Sequence, residues 1–207
     1  MTFLGARGQG VPPTGTEQTF DHGEQKRSYR IYLPTVVENS ERKVPLVFCL
    51  HGGGGNAATM SKAGWSELAE ERGVLVVYPE GLNGHWNDGR GVRKHAAQNA
   101  VTDDVDFLIR LLDHLSETYP VDLSRVYMVG LSNGGFMTQR LAIEHTERFA
   151  AVAILIATLP DTYLKGPLKF SPKEPLSVLF MNGTEDPFMP YDGGKLTPNL
   201  PPRMIDS

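Results

Sequence analysis

Apolar residues in this chain fall into short runs separated by polar helical patterns and glycine-rich breaks. Lys26 to Leu33, KRSYRIYL, sets Tyr29, Ile31 and Leu33 against polar neighbours, which predicts a strand with one wetter face near a sheet edge. Val44 to Leu50 is almost wholly apolar and of strand length, as expected of a central parallel strand covered on both sides. Val74–Tyr78, Val126–Val129, Phe149–Ile156 and Leu176–Met181 read as further strands. Helical spacing predicts a short helix over Met60–Arg72, stopped by Gly73. A second covers Val101–Tyr119, with Val101, Val105, Leu108, Leu112 and Leu115 in one stripe. A third follows Ser132, with Phe136, Met137 and Leu141. Residues 38–43 and 120–124 read as turns, and 80–99 and 158–175 as loops. Residues 1–22 read as an irregular arm and 23–207 as one domain. Repeated strand–helix units imply an α/β fold, a mostly parallel sheet flanked by helices.

One stretch organises the rest. Val126 to Leu141, VYMVGLSNGGFMTQRL, is a strand, a tight turn and a helix with Ser132 at the apex. This is the G-x-S-x-G nucleophile elbow in its required setting. Gly130 and Gly134 remove side chains that would collide where strand and helix meet. The bland alternative is a turn with a capping serine.

A serine hydroxyl needs help to act as a nucleophile at neutral pH. The backbone N–H of Asn133 follows Ser132 and can face a developing oxyanion. A second donor is expected from His51-Gly52-Gly53-Gly54-Gly55, at Gly53 first and Gly54 second. Asp186 follows the strand Leu176–Met181 at its carboxyl end and is the candidate acid. The usual order then requires a histidine after Asp186, and the sequence holds none. The reading is that a closing strand and helix, with that histidine between them, are missing from this chain. His51 is expected to position the glycine loop. His85, Trp86 and Asn87 lie in the long loop and, with Phe188, are candidates for the pocket. His85 is also the alternative base. Asp103, Asp104 and Asp106 crowd a helix start, where dipole and solvation roles are expected of them.

Composition narrows the classes. With 207 residues and 40% hydrophobic content the chain can build one sizeable core. The formal charge of −4 comes from well-mixed acids and bases, with no basic cluster to bind nucleic acid. No apolar run is long enough to span a membrane, and the N-terminus does not read as a secretory signal, so a cytoplasmic location is expected by sequence. The single cysteine, Cys49, reads as a buried hydrophobe. Neither a metal-ligand spacing nor a cofactor fingerprint is present, so no cofactor is expected.

HGGGGNA (51–57), WND (86–88), NAVTDDVDFLIRLLD (99–113), VDLSRVYMVGLSNGG (121–135), RFAAVA (148–153) and NGTEDPFMPYDGG (182–194) resemble the polyhydroxybutyrate depolymerase-like esterases. That group overlaps the feruloyl and acetylxylan esterases of the α/β-hydrolase superfamily. The resemblance implies an α/β-hydrolase fold, Ser132 as nucleophile, Asp186 as triad acid and Gly53 in the oxyanion hole. It also implies cofactor-free hydrolysis of a small or polymeric ester, in a group with many secreted members. The family's C-terminal part, with its histidine, has no counterpart here. Many members also carry a cysteine where this chain has Gly53. The functional expectation is a serine ester hydrolase acting through an acyl-enzyme on short-chain, hydroxyalkanoate, or feruloyl or acetyl esters. A serine peptidase on the same scaffold and a binding module lacking its base are the alternatives. A sheet edge left open would favour self-association.

Overall fold

The computed structural model describes residues 14–38, 42–91, 102–165 and 172–193. Expectations for residues 1–13, 39–41, 92–101, 166–171 and 194–207 lie outside the described residues; these include Val101, parts of both loops and the proline-rich end.

The chain opens with a hairpin. Strand β1 (Thr16–His22) pairs antiparallel with β2 (Gln25–Tyr32) across Gly23 and Glu24. Gly23 takes φ 61°, which a two-residue hairpin turn needs. The second half of the arm expected to be irregular is therefore a strand. Its sequence, TEQTFDH, is mostly exposed and shows no apolar alternation to betray it. A single turn, α1 (Thr35–Glu38), leads to β3 (Val44–Leu50). The helix expected over Met60–Arg72 is two: α2 (Ala57–Met60), held by an Asn56–Thr59 capping box, and α3 (Trp65–Arg72). Gly64, at φ 83°, makes the break. Then come β4 (Leu75–Pro79), α4 (Asp104–Thr118), β5 (Val121–Leu131), α5 (Asn133–Glu144), β6 (Ala151–Leu155), α6 (Asp161–Lys165) and β7 (Ser177–Met181). Strand β5 begins earlier than expected. The Asp122–Ser124–Arg125 hydrogen bonds that look like a turn sit at a register shift opposite Val44–Leu46.

The sheet order is β1-β2-β4-β3-β5-β6-β7, antiparallel through β4 and parallel from there on. Alternate residues of each central strand feed opposite faces, as the pleat requires. Leu46, Phe48 and Leu50 of β3 join Leu108, Leu112, Phe136 and Leu141 of α4 and α5 on one face. Cys49 joins Ala57, Met60 and Ala69 of α2 and α3 on the other. Helices thus cover both faces of a mostly parallel sheet, as the α/β-hydrolase expectation requires. Cys49 is wholly buried, and burial pushes its thiol pKa well up.

Strand β7 is the exception. Val178, Leu179, Phe180 and Met181 are 43–59% exposed. Beside it lies a mainly apolar groove of about 330 Å³, lined by Ala142, Ile143, Ile154, Leu176, Val178 and Phe180.

Candidate active site

Strand β5 hands over to helix α5 at Ser132, which takes φ 53° and ψ −116°. Such a conformation costs about 1–3 kcal/mol in a non-glycine residue and persists only where surroundings enforce it. The enforcement is visible. The Ser132 N–H donates to Leu155 O at the end of β6 (2.8 Å), and its carbonyl accepts the Phe136 N–H (2.9 Å). A Cβ on Gly130 would lie 2.1 Å from Gly134 O, and one on Gly134 would lie 2.5 Å from His51 O. Only glycine fits either place. The half-buried Ser132 makes no side-chain cap, so its Oγ is not a helix-capping group.

The glycine loop after β3 lies against this turn. A Cβ on Gly52 would be 3.6 Å from Ser132 Cβ, and one on Gly53 3.6 Å from Asn133 Cβ. The two expected loop donors differ. Gly54, at φ 75°, turns its N–H onto Gly84 O (2.8 Å), so that group is occupied and not free to meet an oxyanion. The Gly53 N–H has no acceptor among the described residues. Asn133 opens α5, so its N–H has no intrahelical acceptor.

His51 is buried and holds the loop. Its Nδ1–H donates to Gly52 O (2.8 Å), while Nε2 accepts the Gly81 N–H (3.0 Å). This pairing sets a neutral tautomer, so the Glu80 carboxylate 3.6 Å from Nε2 forms no ion pair with it. Burial pushes the ring pKa below its ordinary 6.5, and the neighbouring His85 adds to the shift. The unfolded chain therefore takes up this proton before the folded one does. Stability from His51 is present above about pH 6.5 and is lost as pH falls from there to the lowered folded value. Thermal melts between pH 8 and pH 5 should show that loss, and it should shrink in His51→Asn. An equal pH slope in both proteins would refute it.

Trp86 and Asn87, two of the residues expected at the pocket, are both tied into the protein. Trp86 is fully buried; its indole Nε1–H donates to His51 O (2.9 Å) and its ring stacks on His51. Phe136, in the first turn of α5, is 1% exposed and part of the core. Asn87 donates through Nδ2 to Thr102 O and through its N–H to Asp104 (both 2.7 Å). A polar loop with an aromatic reads as a binding loop in sequence, but here it props the glycine loop from below. His85 lies at the loop surface. Its Nδ1 is 2.9 Å from Asn83 O, and its Nε2 is 3.4 Å from where a Gly53 Cβ would stand.

Asp186 sits just beyond β7. Its Oδ1 accepts the N–H groups of Phe188 (2.8 Å) and Met189 (3.0 Å). Asn182 fastens this loop to the end of β6 through Ala157, its Oδ1 accepting the Ala157 N–H (3.0 Å). Ser132 and Asp186 thus occupy the carboxyl ends of β5 and β7, with β6 between them. Phe188 beside Asp186 is 39% exposed and remains open to a ligand.

The family model described as "Putative esterase" matches residues 22–192. The chain belongs to this esterase family. It is 34% identical over 180 residues to "Putative esterase NocK" of Nocardia uniformis subsp. tsuyamanensis, covering 83% of this chain and 48% of that one. Feruloyl esterase C of Emericella nidulans is 26% identical over 200 residues, 93% of this chain and 68% of that protein. The chain therefore spans about half the length of NocK and about two thirds of the feruloyl esterase. Among solved structures, a thermostable esterase superposes with a TM-score of 0.67 at 22% identity, over 88% of this chain and 50% of that one.

In this esterase-family chain two buried carboxylates escaped the sequence reading. Asp104 was grouped with its solvated neighbours, yet it is fully buried and paired with Arg27 (2.7 Å), 77 positions earlier. Asp103 caps the N-terminus of α4, and Asp106 bonds to His22 and Arg110. Asp88, also fully buried, binds Arg90 and the side chain of Asn133. The only sequence signal for Asp88 was its place in WND, beside the two residues singled out there.

Proposed function

We propose that this chain carries the acyl-transfer site of a serine carboxylic ester hydrolase, with Ser132 as nucleophile. The observation that supports this best is an uncapped serine held at φ 53°, beside the open N–H groups of Asn133 and Gly53. Ser132 Oγ attacks the ester carbonyl, and those two groups receive the oxyanion. The alcohol leaves, and water releases the acid. Asp186 is the orienting acid: two backbone N–H groups fix one carboxylate oxygen and leave the other for an imidazole. Two strand spacings, about 10 Å, separate the ends of β5 and β7, so an imidazole has to bridge them. His51 is excluded from that role because both ring nitrogens are engaged. His22 binds Asp106, and His145 lies at the far end of α5. His114 lies within α4, packed against Phe20. His85, beside the glycine loop, is the candidate for proton transfer among the described histidines.

Short-chain, hydroxyalkanoate, or feruloyl or acetyl esters are the proposed substrates. The resemblance supports them, as do the names of two relatives, Feruloyl esterase C and Poly(3-hydroxyalkanoate) depolymerase C of Paucimonas lemoignei. The test compares a p-nitrophenyl ester with the matching p-nitroanilide, using the wild-type chain and Ser132→Ala. Ester turnover lost in the variant supports the reading. Turnover of the anilide alone would make it a peptidase, and Ser132-independent ester turnover would overturn it.

A second copy of this chain is the proposed partner of β7, whose exposed apolar row and neighbouring groove form an unprotected edge. Light scattering should show mass rising with concentration; a monomer throughout would refute it.

A further inference from the structure

We infer that Asp88 is a positioning residue for the oxyanion hole, acting through the Asn133 side chain; this rests on the acyl-transfer reading above. Asn133 has two jobs at one position. Its backbone N–H faces the place where the oxyanion would form, and its side chain points the other way, into the protein. There the amide is held at both ends. Oδ1 accepts the Trp86 N–H (2.8 Å), while Nδ2 donates to Asp88 Oδ2 (2.5 Å) and to Trp86 O (3.2 Å).

Asp88 is itself immobilised. Its carboxylate accepts from the Arg90 N–H (3.0 Å), Nε (3.0 Å) and Nη2 (2.7 Å). The Arg90 guanidinium lies 3.5 Å from the centre of the Phe136 ring, in the first turn of α5. The Tyr163 hydroxyl of α6 reaches the Asp88 carbonyl and also the Phe136 carbonyl (3.0 Å), and donates to one of them at a time. A buried carboxylate that accepts charge-assisted bonds is a stiff anchor. The anchor matters because the peptide it holds is strained. With Ser132 at φ 53°, the Ser132–Asn133 peptide gains by relaxing, and relaxation swings the Asn133 N–H off the oxyanion position. The Asp88–Asn133 bond opposes that swing from the side away from substrate, so Asp88 touches neither substrate nor Ser132 chemistry.

The test is a double-mutant cycle of Asp88→Asn and Asn133→Ala on p-nitrophenyl acetate. Asn133→Ala keeps the backbone donor and removes only the clamp. Each single variant should lose about 10- to 100-fold in kcat with KM changed less than about twofold, since a displaced donor fails only in the transition state. The double variant should be no worse than Asn133→Ala alone, because Asn133→Ala already removes the Asp88 contact together with the two bonds to Trp86. Unchanged kcat in either folded variant, or multiplicative losses, would overturn the inference. Should Asp88→Asn not fold, Asn133→Ala reads the same contact from the other side.

Amide hydrogen exchange by NMR needs no turnover. The Asn133 N–H should exchange at least about tenfold faster in Asp88→Asn, or in the Asn133→Ala variant at Ala, than in the wild type. Equal rates would overturn the positioning role whatever the activity. Absent turnover in the wild type with the exchange change present would count against the ester-hydrolase reading and leave Asp88's hold on Asn133 standing.

Discussion

Ser132→Ala is expected to cut p-nitrophenyl ester turnover by about four to six orders of magnitude, to the background of the remaining donors and binding groups. The change removes one oxygen. That oxygen caps no helix, so little of the fold depends on it. Alanine inherits the same unfavourable φ, so the elbow is no more strained than before. The melting temperature should therefore stay within a few degrees while activity disappears. Both readouts are needed: lost activity with a collapsed melt would say nothing about a nucleophile, and retained activity in a folded variant would remove Ser132 from the mechanism.

Gly134→Ala should be among the most damaging single methyls at the described residues. The added carbon would lie 2.5 Å from His51 O and 2.6 Å from Leu50 O. Both are backbone atoms at the end of a central strand, so no rotamer change relieves the contact. Helix α5 would have to back away from β3, moving the elbow off the glycine loop. Overpacking typically costs about 1–3 kcal/mol and more where backbone must move. At roughly 2–4 °C per kcal/mol for a chain of this size, the melting temperature should fall by about 10 °C, or the protein should be insoluble. Gly54→Ala is the control. Nothing lies within 4 Å of its added carbon, and only the positive φ of 75° opposes it, so it should cost about 1 kcal/mol. Equal melts for the two variants would contradict the close approach.

What could be read from the sequence was what local pattern encodes. The apolar runs match β3, β4, β6 and β7 to within a residue or two, because short apolar runs of strand length carry their own signature, and β7 keeps it although it is exposed. Ser132 and its glycines were legible because the elbow is a local steric problem with one solution. Strand β1 was not, since its pairing is set by β2 and not by its own exposed residues. Trp86 reads as a pocket residue because an aromatic in a polar loop looks like a pocket wall, whereas burial is a property of the assembled fold. The sequence ranks Gly53 ahead of Gly54, but which way each N–H turns is visible only in the fold. Asp104 was hidden most deeply. A run of acids at a helix start reads as solvated charge until Arg27 arrives from the first hairpin.

Cys49 gives the molecule an internal clock. It is the chain's only cysteine, it lies in the middle of the sheet, and its neutral, buried thiol cannot react in place. A thiol reagent can reach it only when β3 parts from the helices α2 and α3 that cover it. Alkylation at neutral pH therefore counts openings of the central strand and ignores fraying at β7, with no probe introduced. Because β3 runs directly into His51 and the glycine loop, the same count times how often the ground beneath that loop gives way.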